Sequence, residues 1–587
     1  MKLSKKRTAF AVPAILTTFL IYGCFPNEPL SLRITHLNDT HSHFDEKITK
    51  LALPNIDGQP VPTFAYVGGY PRLKTKINQL RVDSESQDKE FVLLHAGDAF
   101  SGTLFFTKHK GEKNAEFMNL FQFDAMAIGN HEFDLGNEVL ANFADLIKFP
   151  LLSANIKVPA TDPLHNKYLP FTIKLFDSVP VAIVGLTTSY TEIISSPSDS
   201  TEFKDGIIQA RKLVNQLEKV GINKIVFITH VGLDEDKALA AAVPGIDVII
   251  GGHSPELLGD HSNIGLIDGG PSPVWVDGSE GDPVCIMHSG ESATAIGVTD
   301  IEFSNDGLVE SCNGQNVFLV GDFFVQGNPP QPVNTGTQNV IASFIEDSLN
   351  IEIVTKDEET QAILDQAKLE VEAFASTVVG TTSEPLFHVR LPWEEHPTAG
   401  VIAGGSMVAS HVAMSMTSKM ERTVGEGFVS VINAAGVRSD LSNDITVGDA
   451  FTVLPFNSTI VSMKIPGSGI KTMIETNVRN SILISHVAFP YVANIKYTID
   501  ITDISNPVVS DILIKDGTGI FQPLENGTIY NLVTTSYLAG GGDLYAFPNA
   551  TNIVDTGHLD GDVLVEYIKK QPGSVLMKPD NGITVIN

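Results

Sequence analysis

A chain of 587 residues is too long for one ordinary hydrophobic core, so two domains are the default, and 43% hydrophobic with 18% charged residues is a globular composition. The 69 acidic against 39 basic residues give a formal charge of -30, which repels a phosphate backbone and argues against nucleic acid as a partner. A small phosphorylated substrate stays open, because metal ions or local arginines reverse the field inside a cleft.

In chain order, Lys2, Lys5, Lys6 and Arg7 precede TAFAVPAILTTFLIYG, an apolar run too short and too sharply ended for a membrane span, which reads as a signal peptide. Its end, Ile21-Tyr22-Gly23-Cys24, resembles a bacterial lipobox. That implies removal of the leader within residues 1–24, lipidation of Cys24, and a membrane-anchored lipoprotein in the cell envelope, in the periplasm or on the outer surface. Two cysteines then remain, Cys285 and Cys312; an oxidising envelope lets them pair, but two cysteines alone leave paired and free thiols equally open.

Residues 30–335 alternate apolar strand-like runs with helical stretches, the pattern of an α/β sandwich of sheets flanked by helices. Residues 336–376 change to long helical segments; DEETQAILDQAKLEVEAFA has apolar positions at helical spacing and neither Gly nor Pro, so a helical connector is expected there. Residues 377–587 form a second region of mixed helices and strands.

Five stretches of the first region, LRITHLNDTH, FVLLHAGD, AMAIGNHE, KIVFITH and DVIIGGH, each show an apolar strand followed at once by Asp, Asn or His. Strand ends are where such folds build sites. Together they supply Asp39, His41, Asp98, Asn130, His230 and His253, the donor inventory of a two-metal centre, and imidazole with carboxylate suits Zn, Mn, Fe or Co. Two divalent cations about 3.5 to 4 Å apart need a bridging anion; Asp98, after Gly97, is the natural bridge. The glycines at 97, 129, 251 and 252 let the backbone turn beside the metals. His36, His43, His95 and His109 read as surface or satisfied core residues.

The order Asp39-x-His41, Gly97-Asp98, Gly129-Asn130-His131-Glu132, His230 and Gly251-Gly252-His253 resembles the calcineurin-like metallophosphoesterases. GNHEFD at 129–134, with GGYPRLKTKI and NLFQFDAMAIGNHEFDLG, is similar to their 5′-nucleotidase and UDP-sugar hydrolase branch. The resemblance implies a four-layer sandwich joined by the helical connector to a smaller substrate-binding domain. It implies one metal on Asp39, His41 and Asp98, and a second on Asp98, Asn130, His230 and His253. It makes His131 the catalytic group that meets the transition state or the leaving oxygen, with Asp134 orienting its ring, and Glu132 a support. One departure is Pro255, where the family commonly carries a side chain that reaches the first metal.

The second region resembles the 5′-nucleotidase C-terminal domain. VINAAGVRSDL follows an Asn-x-Gly-Gly-x-Arg pattern at Asn433 and Arg438, with Ala435 in place of the first glycine. The resemblance puts Phe456 of FTVLPFNS and Tyr537 of SYLAGGGDLY on the two faces of a base, and Asp543 at the ribose. Arg390 stands alone where a pair of arginines is usual, and Gly404 and Gly405 replace part of the helix start that follows. The expected activity is release of phosphate from nucleoside 5′-phosphates, with UDP-sugars as further substrates. The rivals are a 2′,3′-cyclic-nucleotide phosphodiesterase with 3′-nucleotidase activity and an inactive nucleotide-binding lipoprotein; the intact His131 and Asp134 speak against the latter.

Overall fold

The structure, a computed structural model, describes residues 28–580 and 582–586. Cys24 and the apolar leader lie outside the described residues. Among the described residues no helix is long and apolar enough to cross a membrane.

Two sheets packed face to face form the first region. The main path of one runs Lys47–Pro54, Pro60–Val67, Val309–Gln326, Ala295–Phe303, Leu30–Leu37, Glu90–His95, Ala125–Ala127 and Leu151–Leu152. The other runs Val274–Asp277, Pro283–Met287, Val248–Gly251, Ile225–His230, Val179–Thr187 and Phe171–Phe176. Parallel pairing links Leu30–Leu37 to Glu90–His95 and onward to Ala125–Ala127, and links Val179–Thr187, Ile225–His230, Val248–Gly251 and Pro283–Met287. Strands buried on both faces are apolar along their length, which is why IVFI of Ile225–His230 and VII of Val248–Gly251 read as unbroken hydrophobic runs.

The core between the sheets interleaves Ile34, Val92 and Leu94 with Ile183, Ile228 and Ile250. A second core lies under the helices outside the first sheet, including Tyr70–Ser86, and a third under Gly206–Lys219 and Leu233–Ala242 outside the second. The result is the expected layering of helix, sheet, sheet and helix. Asp205 starts Gly206–Lys219 by accepting from the Ile208 N–H, one of the orphan donors every helix start must satisfy. Cys285 and Cys312 are bonded, their Cα atoms 6.5 Å apart, joining a strand of each sheet inside the shared core. This settles the question their count left open.

Residues 336–376 are divided in use. The helix Thr335–Glu346 buries Ile341 and Ile345 against the first region, and Ile351–Ile353 pairs with Val309–Gln326, so both belong to the first region's sheet and core. Only Glu358–Ala375 bridges the regions: Leu364 enters a first-region core while Phe374 packs on the second. Asp357 caps it through the Thr360 N–H.

The second region carries a five-stranded sheet ordered Pro490–Ala493, Val429–Asn433, Ile529–Thr535, Thr459–Pro466 and Thr551–Leu559, packed with the helices Met407–Val424, Gly467–Leu483 and Asp560–Lys570 around one core. It meets the first region directly: the Thr107 hydroxyl donates to Asp562 at 3.0 Å, and a Cβ on Gly557 would lie 2.7 Å from His131 Cε1.

Candidate active site

All six predicted donors lie at strand ends and converge. Asp98, His230 and His253 offer ligand atoms within 4.8 Å of one another, and so do His41, Asp98 and His131, so Asp98 is common to both groups. His230 Nε2 is 2.9 Å from Asp98 Oδ2 and 3.2 Å from Asn130 Oδ1, and His253 Nδ1 is 2.9 Å from the same Asn130 oxygen. Asp39 Oδ1 lies 3.9 Å from both His41 Nε2 and His230 Nε2. Pro255 is exposed and brings no donor to this centre.

The backbone is bent to make this happen. Asp39, His41, Asp98 and His253 have φ of 48°, 46°, 56° and 78°, the left-handed region that costs a non-glycine residue roughly 1 kcal/mol or more. Of the four glycines expected to turn the chain, only Gly97 has a positive φ; the others matter because they lack a side chain. A Cβ on Gly129 would lie 2.1 Å from Asp98 Oδ1, so only glycine lets that loop close on the carboxylate.

The electrostatics ask for cations. Two buried carboxylates face each other: burial holds Asp39 above the usual carboxylate range, whereas His230 and His131 outweigh burial and draw Asp98 well below it. Against its own burial, Asp98 and Asp39 hold His230 up to about 9, so the metal-free site draws a proton into the space between its anions. Nitrogen and carboxylate donors arranged around unbalanced negative charge fit divalent transition metals.

His131 Nδ1 is 2.8 Å from Asp134 Oδ2, and its Nε2 faces the centre, 3.8 Å from Asp98 Oδ2. Burial opposes its charge, but Asp134 and Asp98 prevail and keep it well above the ordinary imidazole value. Asp134 is itself held by Ser101 and by Ser195, the latter at 2.8 Å; neither serine stands in a pattern that sequence reading could single out. Glu132 is fully buried and accepts from four backbone N–H groups, those of Asp98, Ala99, Phe100 and Gly129. Burial and the neighbouring Asp98 charge push it up to about 7. Among the background histidines, His95 is satisfied by Thr40 and the Gly97 N–H, whereas His36 is buried with neither ring nitrogen hydrogen-bonded, against the expectation of a satisfied residue.

In the second region a cavity of about 320 Å³ gathers Asn433, Arg438, Phe456, Tyr537 and Asp543. Phe456 and Tyr537 are 58% and 52% exposed, which rules out a role as core packing. Asp543 is fixed by Tyr537 Oη at 2.9 Å and Asn433 Nδ2 at 2.6 Å, and the Arg438 guanidinium lies 5.3 Å from the Phe456 ring centre. Arg390 is exposed and is not among the residues lining the cavity. Sequence reading missed Asp560, a buried carboxyl at the cavity wall that burial pushes up to about 8.

Comparison with known proteins places both halves. Residues 32–257 match the calcineurin-like phosphoesterase model and residues 378–550 the model of the 5′-nucleotidase C-terminal domain. The chain is 30% identical to the NAD 5′-nucleotidase of Haemophilus influenzae, over 97% of this chain and 96% of that protein. It is 27% identical to the 5′-nucleotidase of Rattus norvegicus, over 92% of this chain and 88% of that one. The solved NAD nucleotidase of Haemophilus influenzae superposes with a TM-score of 0.83 at 28% identity, covering 95% of this chain and 99% of the other. For the 5′-nucleotidase precursor of Thermus thermophilus the values are 0.57 and 27%, with 95% and 100% covered.

Proposed function

This chain belongs to the two-domain 5′-nucleotidase family of calcineurin-like phosphoesterases, metal-dependent hydrolases of nucleotide phosphate esters, and from that premise we propose that it releases phosphate from nucleoside 5′-phosphates using two divalent cations. The observation that carries the proposal is the pairing of two incomplete sites: donors and an acid on the first region, an aromatic-rimmed cavity on the second.

Asp39, His41 and Asp98 would hold one cation, and Asp98, Asn130, His230 and His253 the other. Cations there supply Lewis acidity to the phosphoryl oxygens and make water nucleophilic at neutral pH. His131, kept protonated by Asp134, meets the charge that develops on the phosphoryl group or the leaving oxygen. Phe456 and Tyr537 stack on the base, worth roughly 1 to 3 kcal/mol, while Asp543 accepts from ribose hydroxyls. Arg438 and Asn433 flank the sugar and phosphate, and Arg390, exposed outside the cavity, contributes only as a more distant charge. The acidic centre and the cavity act on one substrate when the two regions close on it.

The same reading makes the mature chain a lipoprotein anchored through Cys24; the Cys285–Cys312 bond supports an oxidising compartment. Replacing Cys24 with Ser should move the protein from the membrane fraction to the soluble fraction.

The test of activity is turnover by the full-length protein in detergent, with Mn²⁺, followed as phosphate release from AMP and 3′-AMP and as chromatographic appearance of the monophosphate products from cyclic 2′,3′-AMP, UDP-glucose and NAD. NAD joins the panel because it is named for the Haemophilus influenzae relative. AMP is expected to be the best substrate, and chelation should abolish turnover until metal is restored. Preference for the cyclic or 3′ ester would favour the phosphodiesterase reading, and binding without turnover of any compound the inactive one.

A further inference from the structure

We propose that the buried Asp236–His288 pair is a positioning element for one of the two cation sites, the one served by Asn130, His230 and His253. Both residues are fully buried, at 0% exposure, and neither belongs to the donor set. Asp236 lies early in the helix Leu233–Ala242 and uses both carboxylate oxygens: Oδ1 accepts from the Thr229 hydroxyl at 2.6 Å, and Oδ2 accepts from His288 Nε2 at 2.9 Å.

The placement of those partners gives the pair its reach. Thr229 immediately precedes His230 at the end of Ile225–His230, and His288 follows Pro283–Met287. Val248–Gly251 runs between those two strands and leads through Gly252 to His253. A Cβ on Gly251 would lie 2.1 Å from both Asp236 Oδ2 and His288 Nε2, so the pair rests directly on the backbone that delivers His253. One carboxylate therefore ties the chain beside both imidazole donors of this site, while the donors' own contacts run elsewhere, His230 Nδ1 to the Ala96 carbonyl at 2.8 Å and the His253 N–H to Asp39.

The pair is oriented for this purpose. His288 Nδ1 is buried without a hydrogen-bond partner, so the Asp236 bond alone sets the ring, while Asn316 Nδ2 holds the His288 carbonyl at 2.7 Å. Packing does not call for a buried acid here, since apolar side chains fill such a volume without the desolvation cost. Ligand registry does, because small displacements of first ligands weaken a metal site.

The proposal rests on the two-cation reading above, and one titration separates the two. Metal-stripped full-length protein and its variants are titrated with Mn²⁺, followed by calorimetry and by the Mn²⁺ paramagnetic resonance signal. Wild type is expected to bind two ions; fewer than two overturns the two-cation reading itself. Given two, Asp236→Ala should weaken one site by about 10- to 100-fold and leave the other unchanged, while Asp236→Asn, which still bridges Thr229 and the other His288 tautomer, stays within about threefold of wild type. Thr229→Val keeps the packing and removes one strut, so it serves where Asp236→Ala fails to fold; it should weaken the same single site by a smaller factor. Unchanged affinity at both sites, equal weakening of both, or a loss in Asp236→Asn as large as in Asp236→Ala overturns the proposal.

Discussion

At Glu132 one carboxylate organises the loop that carries the shared donor. Its two oxygens accept the N–H groups of Asp98, Ala99, Phe100 and Gly129 in a fully buried setting, so this side chain does for the loop what a turn of helix does elsewhere. Each buried amide left without a partner costs about 1 to 3 kcal/mol, and Glu132→Ala should therefore lower the stability of the metal-free protein by at least about 3 kcal/mol in urea unfolding. A loss below about 1 kcal/mol would mean that water replaces the carboxylate and that the loop does not depend on it. The convergence of the six candidate donors was legible in the sequence because strands buried on both faces are apolar throughout, so a polar residue marks their end. What stayed illegible is local: Ser101 and Ser195 behind Asp134 stand in unremarkable sequence, and although Asp and His enter the left-handed region more often than other side chains, they do so in only a small minority of positions, so their type alone did not mark Asp39, His41, Asp98 and His253.

The elements divide by how much of their environment is local. The helix Glu358–Ala375 was readable from its spacing and lack of Gly and Pro, but the attachment of Thr335–Glu346 and Ile351–Ile353 to the first region was not, because it depends on pairing with a strand that ends at Gln326. The pairing of Cys285 with Cys312 was likewise a matter of two strands meeting across a core. The start of Asp560–Lys570 offers a titration at this scale. Burial raises Asp560 to about 8, so the folded chain holds a proton that the unfolded chain releases near its ordinary value of about 4. The stability this proton contributes is fully present below about pH 4 and is lost as the pH rises to about 8. Asp560→Asn, uncharged throughout, should show a flatter fall in Tm than wild type between about pH 5 and 8. Parallel curves would contradict the buried, protonated state.

Across the whole molecule, the proposed function places chemistry on one region and recognition on the other. Gly557 brings the second region's backbone against the His131 ring, and the Thr107 hydroxyl donates to Asp562 across the same boundary, so His131 sits at the seam. Neither contact was readable from either half alone, since each joins residues more than four hundred positions apart. A divided site predicts divided kinetics. His131→Ala should lower kcat about 100-fold or more with KM for AMP little changed, and should leave metal content intact. Phe456→Ala should raise KM about 10-fold, the worth of one base stack, with kcat largely kept. Steady-state phosphate release from AMP by wild type and these two variants therefore tests the central claim most directly. A kcat loss in the first and a KM rise in the second is the predicted result; the same parameter changing in both, or no release by the metal-loaded wild type, would contradict it.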